Sequence, residues 1–428
     1  MKGAATRGQP RALAEIDSMI LGRAPHAVLL VGPGSVGKTT LALDLAAGLL
    51  CCDPDPAARP CRVCRGCRQV ASGNHPDLHR LAPEGPGGQI RIGKATDPEP
   101  GTVRHVIGEL ALLPVEGGAR VVIVEAAHRL NEDAQNALLK MLEEPPAGVT
   151  IVLCADDEEC LLPTVRSRCV RIRLGAVGGR EIEGWLDELG VADAPRAARL
   201  ARLADGRPGL ALAYARSADA ERLRGEIARG ILDMLPASRH ARLAVVRELI
   251  KSAAALSAAL DDGSGDVAAV DEAAAPRGRG RGRKARTPAG AAAVESSEDV
   301  LDAPDEAAAP KLAAADRRAA AGKLVEIWAS VARDLAVARA GGARQLREMA
   351  LVDELRTIGP AVSAASIGAF LERLGDIDRQ LDENVNPELA LDVLALCWPH
   401  VEAGRGAGTA GPGTAGPAAA GGPAGLRP

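Results

Sequence analysis

The stretch that decides the fold is Val28-Leu29-Leu30-Val31-Gly32-Pro33-Gly34-Ser35-Val36-Gly37-Lys38-Thr39-Thr40. The apolar run before it predicts a buried strand, Ala27 to Val31, and the run after it predicts a helix, Thr40 to Leu50. Between them the spacing G-x-x-x-x-G-K-[ST] is met, by Gly32, Gly37, Lys38 and Thr39. The alternative, a plain glycine turn between strand and helix, does not account for a Lys-Thr pair in register with both elements.

This spacing has a chemical purpose. Glycines let backbone N–H groups close around a phosphate, and the start of the following helix adds partial positive charge. A lysine at position 38 reaches the β and γ oxygens of a nucleotide, and a threonine hydroxyl can ligate Mg²⁺. The stretch therefore predicts a site for ATP or ADP with Mg²⁺, made by Gly32, Pro33, Gly34, Ser35, Val36, Gly37, Lys38, Thr39 and Thr40.

Composition sets the broad class. The chain has 428 residues, 47% of them hydrophobic but only 1% aromatic, so its core must consist of Leu, Val, Ile and Ala. That favours helices and buried parallel strands in about three domains. The net charge of −4 gives no overall attraction to DNA or to a membrane surface. No apolar signal region follows the first residues and no apolar run is long enough to span a bilayer, which predicts a cytoplasmic protein without membrane contact.

The cysteines are clustered. Five of the nine lie between Cys51 and Cys67, and in a reducing compartment such a cluster indicates a metal site rather than disulfides. The spacing Cys52-x8-Cys61-x2-Cys64-x2-Cys67 can close a tetrahedral Zn²⁺ site, with Cys51 as the alternative to Cys52. Four ligands leave no open position, so the zinc would be structural. Unrelated free cysteines are the other interpretation.

Further strands alternate with helices, as in a parallel α/β sheet with right-handed crossovers. The strands are predicted at 120–125, 149–154 and 170–174, with a helix at 103–113 before the first strand and a helix at 131–144 after it. The first of these strands ends in Glu125, where a nucleotide-bound Mg²⁺ would be held. The next residue is Ala126, where active NTPases of this kind carry the Glu that polarises water.

Taken together, these features resemble the AAA+ clamp-loader subunits of bacterial DNA polymerase III, in the branch that holds the delta-prime and gamma/tau subunits. The resemblance covers residues 11–216 well and extends more loosely to the helical end of the chain. It rests on the Gly32–Thr39 loop, the cysteine cluster after the following helix, the run Asn136-Ala137-Leu138-Leu139-Lys140-Met141-Leu142-Glu143-Glu144-Pro145-Pro146, the triplet Ser167-Arg168-Cys169, and Asn384-Val385-Asn386-Pro387-Glu388-Leu389.

The resemblance implies a three-part architecture. A RecA-like P-loop domain would occupy residues 1–174, with a zinc module inserted at 51–68, and a small helical lid would follow at 175–217. An all-α collar for oligomerisation would comprise 218–260 and 311–402. The compositions of 261–310, with its Arg-Gly run, and of 403–428 predict a disordered insertion and tail. The Arg-Gly run is interpreted as a spacer, with contacts to DNA phosphates as the alternative.

The resemblance also implies partners and a role for Arg168. The partners are gamma/tau and delta subunits in a ring of five, and through that complex a sliding clamp and primer-template DNA. Arg168 matches the arginine finger that reaches the ATP site of a neighbouring subunit, whereas its plain alternative is a solvated charge at a strand edge.

Three departures favour the delta-prime, or stator, role. They are Glu125-Ala126, the sensor region Cys154-Ala155-Asp156-Asp157, and Gly209, which stands where the motor subunits have a lid Arg. Since single electrostatic groups contribute roughly 3 to 4 kcal/mol to catalysis, their loss predicts little or no ATP turnover by this chain alone. A gamma/tau motor with Glu125 replacing the lost pair is the first alternative. A zinc-stabilised P-loop scaffold that binds DNA outside replication is the second.

Overall fold

A computed structural model describes residues 3–83, 88–112, 114–116, 118–263, 314–382 and 385–401. The predicted tail at 403–428 lies outside these residues. So does the predicted insertion at 261–310, except for 261–263, which form the end of a long helix. The helical region before the insertion therefore extends three residues beyond the predicted boundary.

Five parallel strands form one sheet. They are β1 Ala27–Val31, β2 Leu78–Leu81, β3 Arg120–Val124, β4 Val149–Ala155 and β5 Val170–Arg173, in the order β2-β3-β4-β1-β5. The register pairs Val31 of β1 with Ala155 of β4, so the ends of these two strands lie side by side. The predicted fold class, a parallel α/β sheet with flanking helices and a helical region after it, is confirmed.

Helices cover both faces of the sheet. They are α1 Pro10–Leu21, α2 Lys38–Leu49, α3 Arg65–Ala71, α4 Val103–Leu110, α5 Glu132–Glu143 and α6 Pro163–Arg166, with 3₁₀ turns at Pro56–Ala58 and Ala127–Arg129. Successive strand side chains point to opposite faces. Val28 and Leu30 accordingly join the core beside α1 and α2, whereas Ala27 and Leu29 join the core beside α4 and α5. Burial on both faces explains why the strands are continuous apolar runs.

The rest of the described chain is helical and shares one hydrophobic core. Its helices are α7 Gly179–Glu188, α8 Ala194–Ala204, α9 Pro208–Arg216, α10 Ala218–Asp233, α11 Arg239–Gly263, α12 Ala314–Arg339, α13 Val352–Ile358, α14 Ala364–Asp382 and α15 Pro387–Cys397, with 3₁₀ turns at Ala343–Gln345, Met349–Leu351 and Gly359–Ala361. Side-chain oxygens of Asp193 and Ser217 cap α8 and α10. Among the helices of the described residues, none is both long and apolar enough to cross a membrane.

All aromatic side chains of the protein lie in this helical region. They are Trp185, Tyr214, Trp328, Phe370 and Trp398. Trp328, Phe370 and Trp398 pack together, with ring centroids 4.7 Å apart for Phe370 and Trp398 and 5.8 Å apart for the other two pairs. This aromatic cluster joins α12, α14 and the residue after α15, so it connects segments that are far apart in the sequence.

Candidate nucleotide and metal sites

The predicted phosphate-binding loop lies at the carboxyl end of β1. Gly37, with φ of 104°, precedes the first residue of α2, in a backbone region that glycine adopts without strain. Gly32 passes so close to β5 that a Cβ atom there would lie 2.4 Å from the carbonyl oxygen of Leu174. Val36 is fully buried and anchors the loop in the core. The structure thus brings the residues 32–40 together as the spacing predicts, with Thr39 and Thr40 half-buried in the first turn of α2.

Lys38 is buried, and its ammonium is fully engaged within the protein. Its Nζ donates to the carbonyl oxygens of Gly32 at 2.6 Å and Pro33 at 2.7 Å. It also forms an ion pair with Oδ1 of Asp156 at 2.7 Å. Asp156 follows β4, and the sequence alone gave no indication of this contact.

Glu125 is also paired. Arg80, at the end of the neighbouring strand β2, donates through Nε to Oε1 of Glu125 at 2.6 Å. Burial raises the pKa of the Cys154 thiol to about 12. The positive charge of Lys38 lowers this pKa, and the negative charges of Glu125 and Asp156 raise it. These three charged groups therefore converge around the end of β4, at the same edge of the sheet as the predicted phosphate-binding loop.

The helical region closes over the same edge. The N–H of Gly209, in the first turn of α9, donates to the carbonyl oxygen of Ser35 at 3.0 Å. Arg207, just before α9, forms an ion pair with Glu326 of α12. Burial would raise the pKa of Glu326, but Lys323 and Arg207 outweigh it and lower the pKa to about 2. A cleft of about 660 Å³ lies between these parts, lined by Gly34, Ser35, Asp156, Arg207, Lys323 and Glu326 among others.

Arg168 lies between α6 and β5, with its side chain one-third exposed. Its Nη2 atom lies 2.7 Å from Oε1 of Glu143, and its Nη1 donates to the carbonyl oxygen of Thr164 at 2.8 Å. Glu143 is the last residue of α5 and belongs to the predicted Leu-Glu-Glu-Pro-Pro run. Two contacts therefore orient the guanidinium while part of it faces solvent.

Four cysteine sulfurs form a candidate metal site. They belong to Cys51, Cys61, Cys64 and Cys67 and all lie within 4.8 Å of one another. Zinc to sulfur bonds of about 2.3 Å in a tetrahedron place sulfurs about 3.8 Å apart. The sulfurs of Cys51 and Cys64 are 3.8 Å apart. The donor set and its spacing thus fit a closed, structural zinc site.

This arrangement corrects the preferred ligand set, because Cys51 and not Cys52 joins the other three. Cys51 is buried just after α2 and turns inward, whereas Cys52 is exposed. Cys52 instead contributes its backbone N–H, which lies 3.5 Å from the sulfur of Cys64.

Backbone donors around the sulfurs favour the thiolate form that binds metal, whereas burial raises the pKa of Cys51 and Cys67. The N–H of Cys67 lies 3.3 Å from the sulfur of Cys64, and the N–H of Cys61 lies 3.5 Å from the sulfur of Cys51. Burial would raise the pKa of Cys64, but the N–H groups of Cys67 and Cys52 outweigh it and lower the pKa to about 6. Such outer contacts orient ligands and tune their basicity.

Asp44 of α2 connects the metal site to the rest of the domain, and sequence analysis missed it. It is almost fully buried and accepts hydrogen bonds from the N–H of Ala5, from the N–H and hydroxyl of Thr6, and from Arg62 in the cysteine loop. The signal available in the sequence was an acidic residue inside the apolar part of α2, between Leu43 and Leu45.

A parallel sheet with a G-x-x-x-x-G-K-[ST] loop at the carboxyl end of β1 defines the class of P-loop proteins. Residues 8–177 match the family model described as DNA polymerase III, delta subunit. That match spans 170 of the 428 residues, and over this part the chain is similar to DNA polymerase III subunits delta' and tau.

Relatives of two kinds are similar to this chain. DNA polymerase III subunit delta' of Pseudomonas aeruginosa is 39% identical over 171 residues, which cover 40% of this chain and 49% of that protein. Subunit tau of Salmonella typhimurium is 36% identical over 205 residues, covering 46% of this chain and 30% of that protein. Subunit delta' of Escherichia coli is 36% identical over 198 residues, which cover 46% of this chain and 57% of that protein. The chain thus matches about half the length of the delta' relatives and less of tau.

Proposed function

We propose that this chain is the delta-prime, or stator, subunit of a DNA polymerase III clamp loader. It supports ATP-driven loading of a sliding clamp onto primer-template DNA and turns over little ATP itself. The observation that carries the proposal lies at the end of β3, where Glu125 is paired with Arg80 and is followed by Ala126. A carboxylate held by an arginine and a methyl group are a poor pair for holding Mg²⁺ and activating water.

In this proposal Arg168 contributes to ATP hydrolysis at the nucleotide site of a neighbouring subunit. Glu143 and Thr164 hold the guanidinium in one orientation, which reduces the entropy lost when it engages a phosphate. A planar guanidinium matches phosphate oxygens with two parallel hydrogen bonds. Such a group stabilises the charge of the transition state and can contribute roughly 10³ to 10⁵ in rate.

The proposal includes partners, a metal and a location. The partners are gamma/tau-type and delta-type subunits in a five-membered ring, and the complex acts in the cytoplasm. The four-cysteine site holds structural Zn²⁺, which fixes the loop after α2. The domain limits predicted from the sequence, with the lid at 175–217 and the collar on both sides of the insertion, belong to the same proposal.

Reconstitution with the partner subunits tests the role of Arg168. Arg168→Ala should leave assembly intact and lower turnover roughly 10³-fold at the one ATP site that it completes, so the loader loses that site's share of its activity. Arg173→Ala is the matched control, because Arg173 is also an exposed arginine, five residues further along, and its guanidinium pairs with Glu158. Equal rates for the wild type and the Arg168 variant would refute the finger. Failure to assemble at micromolar concentrations would instead favour a zinc-stabilised P-loop scaffold that binds DNA outside replication.

The intact loop from Gly32 to Thr39 favours a second candidate, a gamma/tau-type motor subunit, and the similarity to tau supports it as well. In that case the isolated chain would hydrolyse ATP with DNA stimulation, and Lys38→Ala would abolish the activity. The stator role predicts negligible turnover in the same assay, so one measurement on the purified chain separates the two.

A further inference from the structure

The ammonium of Lys38 has no hydrogen-bond donor left for a ligand. A lysine side chain has three N–H donors. The acceptors around Nζ are also three, namely the carbonyl oxygens of Gly32 and Pro33 and the carboxylate of Asp156, at 2.6 to 2.7 Å. A phosphate can therefore reach this cation only by displacing one of them.

The displaceable partner is Asp156. The two carbonyl groups belong to the loop itself, whereas Asp156 is a side chain with about half of its surface exposed. Its other carboxylate oxygen lies 3.3 Å from the position of a Cβ atom on Gly34, so the carboxylate spans the mouth of the loop.

Sheet pairing fixes this position. The N–H of Gly32 donates to the carbonyl oxygen of Ala155 at 3.2 Å, which places the next residue, Asp156, directly beside the loop. The N–H of Asp156 in turn donates to Nδ1 of His128 at 3.3 Å. The carboxylate is held where it faces Lys38 by the same strands that build the loop.

We propose that Asp156 determines the nucleotide preference of this site, as an internal carboxylate that competes with the terminal phosphate for Lys38. A lysine in such a loop contacts the β and γ oxygens. ATP brings one more charged phosphate to this position than ADP does, and like charges repel. Asp156 therefore weakens binding of both nucleotides and weakens ATP more than ADP. The inference concerns the chain's own loop, so it holds or fails independently of the role of Arg168.

The test uses the full-length, zinc-loaded chain and the variant Asp156→Asn, which keeps the shape of the side chain and removes its charge. Glu159→Gln is the matched control, because Glu159 is an exposed acid on the same loop whose side chain does not contact Lys38. Calorimetric titrations with MgADP and with a non-hydrolysable magnesium ATP analogue at fixed ionic strength give the dissociation constants. Thermal unfolding confirms that each variant is folded, and Asp156→Ser serves as a second charge-removing variant.

The expected result is that Asp156→Asn binds the ATP analogue about two- to fivefold more tightly than the wild type, as for loss of a competing, partly exposed ion pair. The gain for ADP should be smaller. Glu159→Gln should leave both constants unchanged. Adding Lys38→Ala to Asp156→Asn should abolish the gain, because the competition is for that ammonium. The proposal is overturned if Asp156→Asn and Asp156→Ser bind no more tightly than Glu159→Gln, or if the gain survives without Lys38.

Discussion

Replacing Cys51 by serine tests the metal site with a control one residue away. Cys51 is buried with its sulfur 3.8 Å from that of Cys64, whereas Cys52 is exposed outside the cluster. Both substitutions exchange sulfur for oxygen in the same dipeptide. We expect Cys51→Ser to lose zinc and Cys52→Ser to keep about one zinc per chain.

The magnitude follows from the number of ligands. A structural zinc site contributes about 10 to 16 kcal/mol of apparent binding free energy at neutral pH. Four sulfurs share this site, so loss of one should remove about 3 kcal/mol, or more than a hundredfold in zinc affinity. Because a metal that binds only the folded state stabilises it by mass action, the Cys51 variant should also melt at a lower temperature at equal zinc concentration.

The assay is metal analysis after dialysis against a competing chelator, followed by thermal unfolding with and without added zinc. Addition of zinc should raise the melting temperature of the wild type and of Cys52→Ser, and of Cys51→Ser only at much higher concentration. Retention of zinc by Cys51→Ser together with its loss from Cys52→Ser would refute the geometry. A wild-type protein without zinc would refute the site itself.

Two further predictions concern stability. Asp77→Asn removes the buried carboxylate that pairs with Arg120 and should lower the free energy of unfolding by about 3 to 5 kcal/mol, measured by urea denaturation. Asp219→Asn, in an exposed pair, is the control. Burial would raise the pKa of Asp77, but the N–H groups of Glu116 and Val115 and the Arg120 charge outweigh it and lower the pKa. The carboxylate therefore stabilises the fold above about pH 4. The difference in unfolding free energy between wild type and variant should shrink as the pH falls below that value. Phe370→Ala removes the centre of the aromatic cluster and should lower the free energy of unfolding by about 3 to 5 kcal/mol. Leu371→Ala, at the adjacent and more exposed position, should change this free energy far less. Equal losses of stability in circular dichroism melts would contradict the packing described.

The elements around the phosphate-binding loop could be predicted because their signals are local. Apolar runs gave β4 as 149–154, against Val149–Ala155 in the structure, and the polar start and double proline gave α5 within a residue at each end. The Gly-Lys-Thr spacing located the loop for the same reason. Burial on both faces of a parallel sheet leaves an unambiguous apolar run.

The contacts that decide the chemistry are not local. Asp156 meets Lys38 only because β4 pairs with β1. Arg207 meets Glu326 only because the fold brings α12 beside the turn that precedes α9. No spacing rule connects residues more than a hundred positions apart. The preference for Cys52 over Cys51 as the fourth ligand was wrong for a different reason. Two adjacent thiols have identical chemistry, and only the direction of the chain after α2 decides which of them points toward the other three cysteines.

The confinement of every aromatic residue to the helical region has a spectroscopic consequence. Tryptophan emission can report only on residues from Trp185 onward, and the sheet with its phosphate and metal sites contributes no chromophore of this kind. Changes in the sheet would reach the emission only if they disturbed the packing of helices against it. A tryptophan introduced at the exposed Val63, between two of the four clustered cysteines, would give the cysteine loop its own fluorescent reporter.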